Sequence, residues 1–203
     1  MSRNSSSFRE TRGFSLIEMM MVCAVMGVIA AIAIPMSGNT LRYLKLNGDA
    51  RDMSNAAALA KMRAAAKFTQ SRLYLDLSAS TFYIQTYDKT TSSWVNEAGA
   101  SYLSSGVSYG YGPVSAAPPN TQTTIGQPPQ CMNTATPPAA IANSACIIFN
   151  SRGLPVDTTG SPTGDGAVYL TDNSAVYGVT AAATGFIRLW RTPYQTTASW
   201  SQQ

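Results

Sequence analysis

The stretch RGFSLIEMMMVCAVMGVIAAIAIP, residues 12–35, decides how this chain is organised. From Phe14 to Leu41 the only charged side chain is Glu18. A helix over residues 14–35 would measure about 33 Å, close to the hydrocarbon thickness of a bilayer, about 30 Å. A lone carboxylate in such a helix costs at least ~2.5 kcal/mol on insertion scales, so Glu18 is expected to need a partner.

The charges on either side of this run predict its orientation. Three arginines precede the run and two basic residues follow it: Arg3, Arg9, Arg12, Arg42 and Lys45. The leader should therefore stay cytoplasmic, with the rest of the chain outside the inner membrane. The run is longer than a secretory signal core, and no small-residue cleavage site follows Pro35, so it is predicted to be retained.

The segment from Gly13 to Glu18 resembles the prepilin processing motif of type IV pilins and type II secretion pseudopilins. The resemblance implies that a prepilin peptidase cuts between Gly13 and Phe14 and methylates the new amine of Phe14. The family's helix-kinking proline falls on Pro35, and its glutamate falls on Glu18. In the family's filament this glutamate is expected to neutralise the N-terminal amine of a neighbouring subunit; otherwise Glu18 snorkels or is protonated, with no role in assembly.

Beyond a break at residues 35–38, the chain from Thr40 to about Leu73 has the apolar spacing of an amphipathic helix. The predicted buried stripe is Leu41, Leu44, Met53, Ala57, Ala60, Ala64 and Phe68. The other face is predicted to carry seven basic against two acidic residues: Arg42, Lys45, Arg51, Lys61, Arg63, Lys67 and Arg72 against Asp49 and Asp52. Such a face is either solvated or a surface for nucleic acid or an acidic neighbouring subunit.

The remainder predicts an antiparallel meander. Short β-rich runs separated by turn residues cover 81–87, 94–95, 145–149, 167–170, 176–179 and 186–190, with a weaker candidate at 101–111. Residues 113–140 hold seven of the 11 prolines and predict a long loop. The expected fold class is therefore α+β, a long helix packed on an antiparallel sheet. The expected domains are a leader over 1–13, a transmembrane or filament-core helix over 14–35, and an exported pilin-like domain over 36–203.

Composition argues against catalysis. The chain has no histidine, which removes Ser-His-Asp and Cys-His catalysis and histidine-based metal sites. No pair of acids forms a recognisable motif, so we expect no enzyme activity, no cofactor and no metal. Asp157, Asp165 and Asp172 lie in Gly/Thr/Ser-rich segments, where turn formation accounts for them.

Two of the three cysteines lie in the predicted exported domain. Cys131 and Cys146 are fifteen residues apart, while Cys23 lies in the apolar run. In an oxidising compartment Cys131 and Cys146 are expected to form a disulfide, worth about 3 kcal/mol in the chain-entropy model. The alternative is two unpaired small residues.

Two later segments resemble the GspH/FimT branch of the same superfamily. They are residues 147–155, Ile-Ile-Phe-Asn-Ser-Arg-Gly-Leu-Pro, and 185–191, Gly-Phe-Ile-Arg-Leu-Trp-Arg. Some FimT-type minor pilins bind DNA through Gly-Arg-x-Arg, but Phe186 replaces the first arginine here. Arg188 and Arg191 remain as candidate phosphate contacts, and Trp190 could stack on a base or pack under a loop.

The resemblance implies a minor pilin or pseudopilin, a structural subunit of a type IV pilus or a type II secretion pseudopilus. Its expected partners are other pilins, the prepilin peptidase and the bacterial inner membrane, which it spans once before entering a filament. The alternatives are a minor pilin that captures DNA for natural transformation, and a plain membrane-anchored domain. The sequence does not separate pilus from secretion system.

Overall fold

The computed structural model describes residues 13–97 and 99–203, except for the side chains of 33–39. The chain divides into two compact units, Met1–Leu41 and Arg42–Gln203. The leader before Gly13 lies outside the described residues. So does the side chain of Pro35, and the kink expected there stays a prediction.

The helix α1 spans Leu16–Ala66 and therefore continues through residues 35–38, where the sequence predicted a break. It begins after Ser15, whose carbonyl oxygen accepts the N–H groups of Glu18 and Met19. It ends where Phe68 adopts a positive φ of 50° and the N–H of Thr69 reaches back to the carbonyl of Ala64. This is the Schellman arrangement, in which a left-handed residue turns the chain out of the helix. The helix therefore ends before the predicted limit near Leu73.

The eleven strands within the described residues form two antiparallel sheets. In chain order they are β1 (Ser71–Asp76), β2 (Thr81–Asp88), β3 (Ser93–Asn96), β4 (Ser101–Tyr102), β5 (Ser108–Tyr109), β6 (Ser144–Phe149), β7 (Pro155–Val156), β8 (Gly166–Thr171), β9 (Ala175–Ala181), β10 (Ile187–Pro193) and β11 (Ser201–Gln202). Sheet A has the order β3-β2-β1-β6-β7, with β4 also paired to β2. Sheet B has the order β11-β10-β9-β8-β5. The expected α+β class, a long helix with antiparallel strands, is confirmed.

The core of the second unit lies between its part of α1 and the inner faces of both sheets. Its helical stripe repeats every three or four residues, as one face of an amphipathic helix requires: Leu46, Ala50, Met53, Ala57, Ala60 and Ala64. The small alanines let the strands approach the helix closely. Sheet A contributes Leu73, Leu75, Ile147 and Phe149, and sheet B contributes Val168, Leu170, Tyr177 and Val179.

The buried stripe differs in part from the predicted one. Met53, Ala57, Ala60 and Ala64 are buried as expected, whereas Leu41, Leu44 and Phe68 are exposed, and Leu46 and Ala50 take part instead. Arg72 also leaves the predicted basic helix face, because it belongs to β1 and is buried.

The Pro-rich segment 113–140 is largely without regular structure, but it is not a solvated loop throughout. Val114 and Ile125 pack on the outer face of sheet B beside Tyr169 and Val176. Cys131 packs on the outer face of sheet A. The segment therefore gives each sheet a second buried face, which its composition did not indicate.

Candidate functional site: the N-terminal helix and the exposed groups of the sheet domain

The first unit presents a nearly continuous apolar surface. Phe14 is 77% exposed, and the large apolar side chains that follow it on α1 are exposed as well: Leu16, Ile17, Met19, Met20, Met21, Val22, Val25, Met26, Val28, Ile29 and Ile32. Exposed apolar area on this scale marks an interaction surface in proteins. Within the described residues, no helix combines the length and the apolar character needed to cross a bilayer.

Glu18 lies in the first turn of α1, three residues after Ser15. The unpaired N–H groups and the helix dipole favour a negative charge at this end. Glu18 makes no ion pair among the described residues. The carboxylate is thus placed in an otherwise apolar surface, where a cation from outside the chain can meet it.

The predicted cleavage position is accessible. Gly13 and Phe14 precede the helix, are exposed, and lie in no regular element. A Cβ placed on Gly13 would meet no atom within 4 Å. Exposure outside regular structure is what a protease needs in order to reach the peptide bond between them.

In the second unit, Cys131 and Cys146 form a disulfide, with their Cα atoms 5.1 Å apart. The bond fixes the Pro-rich segment to the outer face of β6. Cys23 is free and exposed on α1.

The candidate DNA contacts differ in exposure and in the neighbours that hold them. Arg188 is exposed on β10. Arg191 is partly buried, with its guanidinium 5.6 Å above the ring of Tyr43. Trp190 is buried and donates its indole N–H to Oγ1 of Thr180, 3.0 Å away, so it is not available to stack on a base.

The three aspartates in the Gly/Thr/Ser-rich segments act in turns or in contacts within their own segment. Asp157 accepts the hydroxyl of Thr159 and the N–H groups of Ser161 and Thr159, and these bonds, the hydroxyl first, hold its pKa below the ordinary value. Asp172 accepts the N–H and hydroxyl of Ser174, and Asp165 accepts the hydroxyl of Thr163. No cluster of metal-ligating residues occurs in the part of the chain that the structure describes.

Sequence reasoning missed the role of Lys61. Its ammonium donates to the carbonyl of Gly185, 2.9 Å away, and its side-chain carbons pass beside Gly153. Lys61 thereby joins α1 to two turns, the one after β6 and the one between β9 and β10. Gly153 and Gly185 each lie in one of the two segments that resemble the GspH/FimT branch. A glycine in each segment is the sequence signal that the two backbones approach each other closely.

Comparison with known proteins gives one match of direct relevance. Residues 9–34 match the family described as the prokaryotic N-terminal methylation motif, which confirms the resemblance of this segment to type IV pilins and pseudopilins. No curated protein sequence matches the chain. A solved structure, the minor pseudopilin EpsH from the Type 2 Secretion System of Vibrio cholerae, is similar at 12% identity and a TM-score of 0.38, over 71% of this chain and 95% of that one. That likeness is too distant to carry an argument.

Proposed function

We propose that this chain is a minor pilin or pseudopilin, a structural subunit that enters a filament through its N-terminal helix. The observation that carries the proposal is the exposed apolar surface of Phe14 and the first part of α1, which holds a single acid, Glu18. The methylation motif over residues 9–34 supports the same reading. The role is structural rather than catalytic.

Processing is the first proposed step. A prepilin peptidase cuts the exposed bond between Gly13 and Phe14 and methylates the new amine, which carries a positive charge. Until then the apolar helix is held in the bacterial inner membrane, with the leader in the cytoplasm and the domain from Arg42 onward outside. In the filament the same apolar surface is covered by the helices of other subunits.

Glu18 then sets the register of assembly. Its carboxylate accepts the amine of a neighbouring subunit, and the two charges neutralise each other in an apolar environment. Such a pair adds little net stability compared with an apolar replacement, but removing one partner leaves a buried charge, at about 3–5 kcal/mol. The pair therefore selects one alignment of the helices, and misaligned neighbours are rejected.

The proposal is tested by Glu18→Gln, which removes the charge and keeps the shape. We expect the variant to be cleaved and methylated, as read by mass spectrometry, but to be absent from sheared filaments on immunoblots. Asp52→Asn is the matched control, since Asp52 is an exposed acid of the same helix. Normal incorporation of Glu18→Gln would refute the assembly role, and an uncut chain with an intact peptidase would refute the family assignment.

The DNA-capturing alternative has weaker support. Of its three candidate side chains, only Arg188 is exposed and without a neighbouring aromatic ring. One arginine supplies a single phosphate contact, whereas non-specific affinity is built from several.

A further inference from the structure

A cavity of about 600 Å³ lies on the outer face of sheet A, beside the edge strand β3. Tyr87 and Trp94 form one wall, and the segment 132–138, which follows the disulfide at Cys131, forms another. This volume lies within the range of small-ligand sites, about 300–1,000 Å³. Only two of its lining residues are charged, Arg72 and Asp157.

Arg72 is held rigidly in this cavity. It is 2% exposed, and its guanidinium lies 4.1 Å from the ring centre of Trp94. Its Nε donates to Oε1 of Gln85 at 2.7 Å, and its Nη1 donates to the carbonyl of Met132 at 2.8 Å. A planar cation fixed by stacking and hydrogen bonds is pre-organised to bind an anion, because little side-chain freedom is lost on binding.

No acid lies within ion-pair distance of Arg72 among the described residues. Both hydrogen-bond acceptors are neutral, and among the described residues Arg72 forms no ion pair. Burial lowers the pKa of Arg72 to about 10, which reflects the cost of holding the cation there. Buried charges in proteins are normally paired, and a guanidinium has five N–H donors, of which these two bonds use two.

The second charged group argues for a singly charged ligand. Asp157 has its Oδ1 engaged by the N–H groups of Thr159 and Ser161 and by the Thr159 hydroxyl, so it is tied to its own turn. With one basic and one acidic side chain in its lining, the cavity carries no net charge with which to balance a doubly charged phosphate. We propose that the cavity beside Trp94 is a binding site for a carboxylate, which pairs with the guanidinium of Arg72. The carboxylate comes either from a small molecule or from an acidic side chain of another protein. The proposal does not depend on filament assembly.

The test is a titration of the full chain in non-ionic detergent, followed by the NMR signals of the Arg72 Nε–H and the Trp94 indole N–H. The probes are acetate, inorganic phosphate and the blocked peptide acetyl-Ala-Glu-Ala-amide, with the glutamine peptide as the uncharged control. We expect both signals to shift in a saturable way with the carboxylates and not with the glutamine peptide. A glutamate peptide that binds about ten-fold tighter than acetate identifies a protein source, and equal affinities identify a small-molecule source.

Three variants complete the test. Arg72→Gln should weaken carboxylate binding at least about ten-fold, as expected for the loss of a charged hydrogen-bond partner. Ala135→Trp fills the cavity from an exposed position of its wall, so it should also abolish binding if Arg72→Gln fails to fold. Arg188→Gln is the matched control and should bind normally. The proposal is overturned if the Arg72 signal does not respond to any carboxylate, if the glutamine peptide binds equally well, or if phosphate binds more tightly.

Discussion

Two turns of the sheet domain meet at a pair of glycines, and the contact allows a sharp prediction. Gly185 has a φ of 81°, and a Cβ placed on it would lie 2.6 Å from the carbonyl oxygen of Gly153. Lys61 donates to the carbonyl of Gly185 in the same place. The space beside Gly185 is therefore filled by backbone, which cannot move aside as a flexible side chain can.

The variant Gly185→Ala should be strongly destabilising. The left-handed conformation costs an L-residue roughly 1–2 kcal/mol, and overpacking against the Gly153 carbonyl adds about 1–3 kcal/mol. We expect a loss of about 2–5 kcal/mol in the free energy of unfolding, which would lower Tm by several degrees. Gly160→Ala is the matched control, because Gly160 has a similar φ of 88° but no atom within 4 Å of the added Cβ. Gly160→Ala should lose only the conformational part, roughly 1–2 kcal/mol.

The measurement is urea unfolding of the full chain in detergent, followed by circular dichroism, with m-values compared between variants. Subtracting the control isolates the cost of the close backbone approach. If Gly185→Ala and Gly160→Ala were destabilised equally, the contact between the two turns would carry no energy and the reasoning would be wrong.

Three further predictions concern other parts of the second unit. Replacing Cys131 by serine should lower the free energy of unfolding by about 3 kcal/mol, because the bond closes a loop of 15 residues; an unchanged urea midpoint would contradict this. A hydrogen bond from Lys67 lowers the pKa of Glu97 below its ordinary value of 4.5. Ionised Glu97 therefore stabilises the fold at pH values above 4.5, and this stabilisation is lost as the pH falls through the lowered pKa. Between about pH 6 and pH 3 the wild type should therefore lose more stability than Glu97→Gln, measured by urea midpoints; an equal loss would contradict it. Finally, we expect the full chain not to retard duplex DNA at about 50 mM salt, and a salt-sensitive shift that Arg188→Gln removes would restore the DNA-capturing alternative.

The N-terminal motif over residues 9–34 was predictable because its signals are contiguous. Gly13, Phe14 and Glu18 lie within six residues, and an uninterrupted apolar run follows them. Strands such as β2 and β6 were also predictable, since β-branched and aromatic residues are concentrated in short runs bounded by turn residues.

The helix end and strand β1 were not predictable in the same way. Phe68 takes a left-handed conformation that non-glycine residues seldom adopt, so no helix-stop residue marks the position. In the sequence, Arg72 continues the spacing of basic residues along the helix. In the structure it lies on β1, where Arg72 and Leu73 face opposite sides of the sheet. Its burial depends on Trp94 and Met132, which come from distant parts of the chain.

The covering role of the Pro-rich segment was hidden for a different reason. Val114 and Ile125 are isolated apolar residues without a period, and their burial depends on the apolar outer face of sheet B. The apolar outer face of sheet B is formed by residues from different strands, so it can be recognised only once the pairing of those strands is known. Lys61 illustrates the same limit, because its acceptor Gly185 is 124 residues away.

Whether Cys131 and Cys146 are bonded depends on the cellular compartment in which the domain lies. Thiols stay reduced in the bacterial cytoplasm, and a disulfide persists only in an oxidising compartment. In the topology proposed above, the bond at Cys131, which precedes one wall of the Arg72 cavity, forms only after the domain has left the cytoplasm. Electrophoretic mobility without reductant distinguishes exported from stalled molecules, since a looped chain migrates faster than an open one. The proposed removal of the leader is read separately by mass, so one sample tests both proposed maturation events.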